Sequence, residues 1–263
     1  MSPLNKIFKY FNYLLKAKTA HGVHSPFVFK LIHELIETNN TDYYQFTELN
    51  KIRKQLLNNT SQITISDFGA GSQVFKNNSR KISDLVKHGT SKQKFSELYF
   101  KLINFCDAKN VVELGTSIGL NTLYLSKANS KSQIYTIEGC KELQAFATEL
   151  SKKENALNIT FINGTFDEAL PNLLNQISSV DLFFIDGNHR YQPTLNYFKM
   201  ALSKKTETSV FIFDDIHWSD EMEKAWEEIK NHHEVTLSLD LFYVGIIFFR
   251  KEQKEKQHFI LKY

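Results

Sequence analysis

The chain has 263 residues, 42% of them hydrophobic, enough for one large domain or for a core with an appendage. Its 32 basic residues against 29 acidic ones leave a formal charge of +3, too balanced for the broad electropositive surface that nucleic-acid binding needs. Two cysteines, Cys106 and Cys140, provide neither a disulfide framework nor a thiolate metal site. With no continuous apolar leader and no apolar run of membrane-spanning length, a reducing, cytoplasmic location is expected.

Residues 4–16 set Leu4, Ile7, Phe8, Phe11, Leu14 and Leu15 on one helical face, with Lys6, Lys9 and Lys16 off it. That face has three destinations: the protein's own core, a second subunit in a homodimer, or a membrane surface. Ser25-Pro26 then reads as the N-cap and first position of a helix with Phe27, Leu31 and Leu35 inside. His21 and His24, in the preceding glycine-containing turn, read as capping or packing residues. Thr64 to Ser72, TISDFGAGS, imitates a ligand-binding glycine turn. It is followed by a polar, unpatterned stretch, and no strand ending in an acid comes about 20 residues later, so it reads as a loop. Within it Asp67–Ser72 either covers a ligand, with Phe68 over it and Arg80 toward an anionic group, or is plain surface.

A helix over 92–106, with Phe95, Leu98, Leu102 and Ile103 inside, leads into the stretch around which the rest is arranged, KNVVELGTSIGLNT at 109–122. Val111, Val112 and Leu114 make the short apolar run of a strand buried on both faces; Gly115 breaks it, and Leu120, Leu123, Leu125 and Ala128 give the next helix its apolar side. Strand, glycine turn and helix form the ligand-binding opening of a doubly wound sheet, where bare N–H groups face a ligand. A dinucleotide turn needs a middle glycine to admit a pyrophosphate. Here Ser117 stands between Gly115 and Gly119, which disfavours one.

The next apolar run, Gln133 to Glu138, ends in an acid at the distance of a ribose ligand, since a carboxylate accepts from both ribose hydroxyls. A helix striped by Leu143, Phe146, Ala147 and Leu150 follows, then a strand at Ile159 to Ile162 and the segment Asn163-Gly-Thr-Phe166. The strand at Val180 to Ile185 runs into Asp186-Gly-Asn-His-Arg-Tyr191, and the strand at Val210 to Phe213 runs into Asp214-Asp-Ile-His-Trp218. Both polar clusters therefore fall at the carboxyl edge of the sheet, the edge of the glycine turn. Met222, Trp226 and Ile229 stripe another helix, and Glu234 to Asp240 with Tyr243 to Arg250 read as a closing pair with one antiparallel strand.

From ELG, three residues and Gly, the chain resembles the class I methyltransferases that use S-adenosylmethionine, most closely the branch with the catechol and caffeoyl-CoA O-methyltransferases. The resemblance implies an α/β fold: a Rossmann-like, seven-stranded doubly wound sheet with its last strand antiparallel, over residues 88–263. Residues 1–87 then form a mainly helical extension or lid. By likeness, Glu113 meets the methionine amino group, Gly115, Thr116, Ser117 and Gly119 pass under methionine and ribose, and Glu138 binds the ribose. Thr90 and Ser91 match a segment that touches the methionine carboxylate. Gly164, Thr165 and Phe166 fall at the adenine; Thr165 replaces the family's Asp and retains one acceptor, while Phe166 offers a stacking face.

In the metal-dependent members, acids after the fourth and fifth strands hold a divalent cation that lowers the acceptor's pKa. By likeness these are Asp186, which also falls among the cofactor contacts, with Asp214 and Asp215, for Mg²⁺ or Mn²⁺. The alternative reading has Asp214 and Asp215 capping the next helix and orienting His217. The family's lysine base falls on His189, whose ordinary pKa near neutrality suits a general base. Base-methylating enzymes carry Pro-Pro-aromatic where this chain has Gly187-Asn-His, so the expected acceptor is a small molecule with a sugar or phenolic hydroxyl. Tyr191, Trp218 and Phe68 would supply ring-stacking surface. The alternatives are a cofactor-binding protein without turnover and a methyltransferase of macromolecules.

Overall fold

The computed structural model describes residues 3–37, 43–65 and 79–263. In chain order these form helices α1 (Pro3–Lys16), α2 (Pro26–Leu31, prolonged by a π-helical stretch, Ile32–Glu37) and α3 (Tyr44–Leu57), then two short strands, β1 (Gln62–Thr64) and β2 (Ser79–Lys81). Next come α4 (Ile82–His88), α5 (Gln93–Cys106), β3 (Asn110–Leu114), α6 (Leu120–Ala128), β4 (Gln133–Glu138), α7 (Lys141–Lys153), β5 (Ile159–Asn163) and α8 (Phe166–Gln176). The chain closes with β6 (Val180–Ile185), α9 (Tyr191–Leu202), β7 (Lys205–Asp214), α10 (Asp220–Asn231), β8 (Leu237–Asp240), β9 (Val244–Phe248) and β10 (Gln257–Ile260). The Asp67–Ser72 loop, with Phe68, lies outside the described residues; Arg80 falls in β2.

Two compact units divide the chain: a central one, Asn39–Ser178, and a split one, Met1–Thr38 with Ser179–Tyr263. In the central unit β4 lies between β3 and β5, all parallel, with Val111 opposite Ile134 and Ile137 opposite Ile162. Val111, Val112 and Leu114 have no exposed surface, as a parallel strand covered on both faces requires. α3 is bonded to the helices beside it through buried polar groups: the Arg53 guanidinium donates to Ser96 Oγ at 3.0 Å and the Tyr124 hydroxyl donates to Asn50 Oδ1 at 2.8 Å. Tyr124 belongs to α6, so this bond ties α3 to the helix that leaves the glycine turn.

In the split unit β6 and β7 are parallel, β9 runs antiparallel between β7 and β8, and β10 adds parallel to β8. Among the described residues the three parallel strands of the central unit and these five make eight, one more than the seven expected. The antiparallel β9 is where the closing pair placed it. The extra strand β10 is a four-residue run after a lysine-rich segment, too short to announce itself by periodicity. Ser25 caps α2 as expected, its Oγ accepting from Val28 N–H at 3.5 Å.

The orientation of α1 reverses its hydrophobic pattern. Lys9 bonds Asp220 at 3.1 Å and Glu223 at 2.7 Å, Lys6 sits 4.6 Å above the Trp218 ring, and Tyr10 and Tyr13 pack on Phe242. Ile7, Phe8, Phe11, Leu14 and Leu15 face outward. For these five residues docking on the protein's own core is excluded.

Gly245 in β9 lies flat beneath Trp226 of α10; a Cβ there would stand 2.6 Å from the indole. Gly245→Ala is therefore expected to destabilise by about 1–3 kcal/mol through overpacking. Urea unfolding would read this as a lower midpoint with an unchanged slope.

Candidate functional site

In the central unit the chain leaves β3 through a turn with three positive φ angles, Gly115 at 102°, Ser117 at 50° and Gly119 at 78°. Gly119 is required twice over, because a Cβ there would also come within 2.7 Å of Ala147 Cβ on α7. The turn is fastened to β4: Gly115 N–H donates to Ile137 O at 3.0 Å, and Ser117 N–H donates to Glu138 Oε2 at 2.8 Å. The other carboxylate oxygen of Glu138 accepts from Cys140 N–H at 3.0 Å. Two main-chain donors thus hold the acid at the strand end.

Glu113 is placed differently from a ligand contact at a surface, for it is wholly buried. Thr122 and Thr136 hydroxyls donate to Oε2 at 2.6 and 2.7 Å, and Asn121 Nδ2 donates to Oε1 at 3.3 Å. Because Thr136 gives its proton to Glu113, Thr116 must donate to Thr136 across their 2.6 Å contact, which completes a chain Thr116 to Thr136 to Glu113. Burial pushes the Glu113 carboxyl up to about 7; the three donors pull it down and the Glu138 charge adds to the rise. Beside it, Asn121 Oδ1 is a buried acceptor with no hydrogen-bond partner. A carboxylate and an unpartnered amide oxygen side by side fit an ammonium donor, so the residues present suit the methionine end of S-adenosylmethionine.

The segment expected at the adenine is pinned to the end of β4. Gly164 N–H, at φ 155°, donates to Glu138 O at 3.1 Å, and Asn163 Nδ2 donates to the same oxygen at 2.8 Å. Thr165 Oγ1 donates to Glu168 at 2.9 Å, and half-buried Phe166 opens α8. A cavity of about 300 Å³ between β5 and α8 touches Gly164 but none of residues 113–119. Thr90 and Ser91 lie at the α4–α5 joint, where Thr90 directs its hydroxyl to Val86 O at 3.0 Å. Sequence reasoning missed Thr136 and the bonds of Asn121 and Thr122. The signal was register: counting back from Glu138 puts Thr136 opposite Glu113.

The second cluster belongs to the split unit. His189, 22% exposed, sits in the turn after β6 with Nε2 3.8 Å from Asp186 Oδ1, too long for a hydrogen bond. Burial lowers its pKa below the usual 6.5, and the Asp215 charge only partly opposes this. The imidazole is therefore neutral at pH 7 and able to accept a proton.

Asp214, the last residue of β7, accepts from Asp215 N–H at 3.0 Å, and Asp215 takes φ 55°. Neither caps α10. That cap is Ser219, whose Oγ accepts from Met222 N–H at 3.2 Å. Nor do they orient His217, which lies between Glu223 at 3.0 Å and Asp240 at 2.9 Å over the Phe242 ring. Burial acts to lower the His217 pKa, but the two carboxylates outweigh it and raise it.

Among the described residues no group of three or more His, Cys, Asp or Glu is placed to hold a metal ion. Of the expected set, Asp214 accepts from the Asp215 N–H, while Asp186 and the Asp215 charge both lie beside His189. The expected stacking rings are engaged as well, Tyr191 through its hydroxyl with Glu228 at 2.5 Å and Trp218 beneath Lys6.

Residues 112–216 match the family model of a methyltransferase domain. The chain is 29% identical over 136 residues to uncharacterized protein R132 of Acanthamoeba polyphaga mimivirus, covering 47% of this chain and 60% of that one. It is 27% identical over 118 residues to a catechol O-methyltransferase of Niastella koreensis, covering 44% and 52%. It thus spans between half and three-fifths of the curated relatives it matches. The solved structure of Podospora anserina methyltransferase PaMTH1, bound to S-adenosylhomocysteine, superposes with a TM-score of 0.54 at 18% identity over 62% of this chain and 80% of that one. The fold is that of the class I S-adenosylmethionine-dependent methyltransferases.

Because Glu113 carries a carboxyl raised from 4.5 to about 7, its burial favours folding fully below pH 4.5 and progressively less as pH rises through 7. The displacement is worth on the order of 3 kcal/mol. Glu113→Gln, neutral throughout, is expected to flatten the fall of stability between pH 5 and 8, and thermal melts across that range would show it.

Proposed function

We propose that the protein transfers the methyl group of S-adenosylmethionine to a hydroxyl of a small molecule, a sugar or a phenol. The observation that carries the cofactor half is the turn closed by the Ser117 N–H bond to Glu138 beside the Glu113 carboxyl. A relative described as a catechol O-methyltransferase and a neighbour solved with S-adenosylhomocysteine support the same reading.

In this reading Glu113 and Asn121 accept from the methionine ammonium, Gly115 to Gly119 carry the ribose and methionine along bare backbone, and Glu138 accepts from the ribose hydroxyls. Thr90 and Ser91 serve the methionine carboxylate, Gly164, Thr165 and Phe166 the adenine, and Asp186 its turn of the site. When bound, the cofactor supplies an electrophilic methyl on a sulfonium. His189 would take the acceptor's proton as that methyl is transferred from the sulfonium to the acceptor oxygen. The Asp215 charge stabilises the resulting imidazolium. Asp186, Asp214 and Asp215 organise the acceptor end, with or without a divalent ion. We further propose residues 1–87 as a helical cover; the packing of α1 on Trp218 and Asp220, near Asp214 and Asp215, supports this for its first helix.

Calorimetry is expected to show S-adenosylhomocysteine binding and negligible binding of NAD, with Glu138→Ala weakening the former by about 1–3 kcal/mol. Tight NAD binding alone would overturn the cofactor assignment. For the chemical step, His189→Ala should keep cofactor affinity and lose about 10²- to 10⁴-fold in turnover. The rate should fall on acidification only through a pKa below 6.5, as the imidazole protonates. Turnover unaffected by EDTA agrees with the version without a divalent ion, whereas loss with EDTA and recovery with Mg²⁺ or Mn²⁺ supports the metal-assisted version.

A further inference from the structure

We propose that the outward face of α1 docks on an anionic lipid surface, the helix lying in the plane of the interface. This goes beyond the methyl-transfer reading and does not depend on it.

Ile7, Phe8, Phe11, Leu14 and Leu15 recur at the spacing of a single helical face, and each is between 41% and 71% exposed. An amphipathic helix on a folded protein ordinarily turns that stripe inward. α1 is prevented from rolling over, because its other side is committed. Lys9 pairs with Asp220 and Glu223, the Tyr13 hydroxyl donates to the Leu261 carbonyl, and the chain just after the helix pairs with the sheet edge, Lys18 N–H donating to Ile260 O at 2.8 Å. The apolar stripe is therefore held outward by polar bonds, and a contiguous exposed patch of this kind marks a contact surface.

Charge identifies what covers it. Residues 1–33 contain five lysines, at 6, 9, 16, 18 and 30, and no aspartate or glutamate. A second copy meeting the stripe through a two-fold axis would oppose this acid-free segment with itself. A bilayer with anionic headgroups supplies the missing counter-charge. Lys16 and Lys18, exposed at the end of the stripe, can reach lipid phosphates while the phenylalanine rings enter the acyl boundary. Among the described residues no helix is long and apolar enough to cross a membrane, so the association is superficial.

The test is co-sedimentation of the full chain with vesicles of phosphatidylcholine containing about one-third phosphatidylglycerol, against phosphatidylcholine alone. At least about tenfold more protein should bind the anionic vesicles, and added salt should weaken the binding. The double variant Phe8→Asp with Phe11→Asp should lose about tenfold or more with its thermal melt unchanged, since both rings are exposed. Lys16→Gln with Lys18→Gln, which leaves the stripe intact, should reduce binding to anionic vesicles alone. Failure to bind, or equal binding to both vesicle types, would overturn the proposal. So would a wild-type dimer in sedimentation velocity that the double phenylalanine variant converts to monomers, because the stripe would then belong to a second copy.

Discussion

An ionisable carboxyl with no exposed atom stands at the end of β3, and the turn after it is arranged to keep that group satisfied. The donors arrive from two directions, Asn121 and Thr122 from the first turn of α6 and Thr136 from β4. An unpaired charge at this depth would cost several kcal/mol, so strand, turn, helix and neighbouring strand must converge within hydrogen-bond reach of two oxygen atoms. The positive φ angles at Gly115, Ser117 and Gly119 make the reversal tight enough for that. With the Glu113 carboxyl raised to about 7, the turn carries less negative charge at neutrality than its two acids imply.

Much of this was legible in the residues. The apolar run Val111 to Leu114, the glycine that breaks it and the acid that ends the next run are local signals, and local signals survive folding. The antiparallel β9 was equally readable from two β-rich runs divided by a short turn. What escaped was whatever depends on direction rather than pattern. The hydrophobic stripe of α1 was visible, but nothing in its spacing says that Lys9 would find Asp220 and Glu223, residues more than 200 positions away, and so turn the stripe outward. The acids at 186, 214 and 215 fall in the strand-end segments the pattern gave them, but that Asp214 accepts from the next backbone N–H is a matter of direction that the sequence does not carry.

The split unit shows how neighbouring histidines acquire opposite characters. At His189 the burial outweighs the Asp215 charge and lowers the pKa; at His217 two hydrogen-bonded carboxylates outweigh the burial and raise it. One is suited to receive a proton, and the other braces the segment after β7 between Glu223 of α10 and Asp240 of β8. The α1 ammonium of Lys9 shares Glu223 with His217, so the first helix and the segment after β7 belong to one electrostatic network.

The central claim is that the Glu113 turn receives the ammonium of S-adenosylmethionine, and proton linkage tests it most directly. A cation beside Glu113 must draw its carboxyl down from about 7, so binding near pH 6.5 should release more than about half a proton. Titration calorimetry in two buffers of different ionisation enthalpy measures that release, and Glu113→Gln should abolish it. Binding with no proton released, or with the same release in the glutamine variant, would contradict the placement of the ammonium at Glu113.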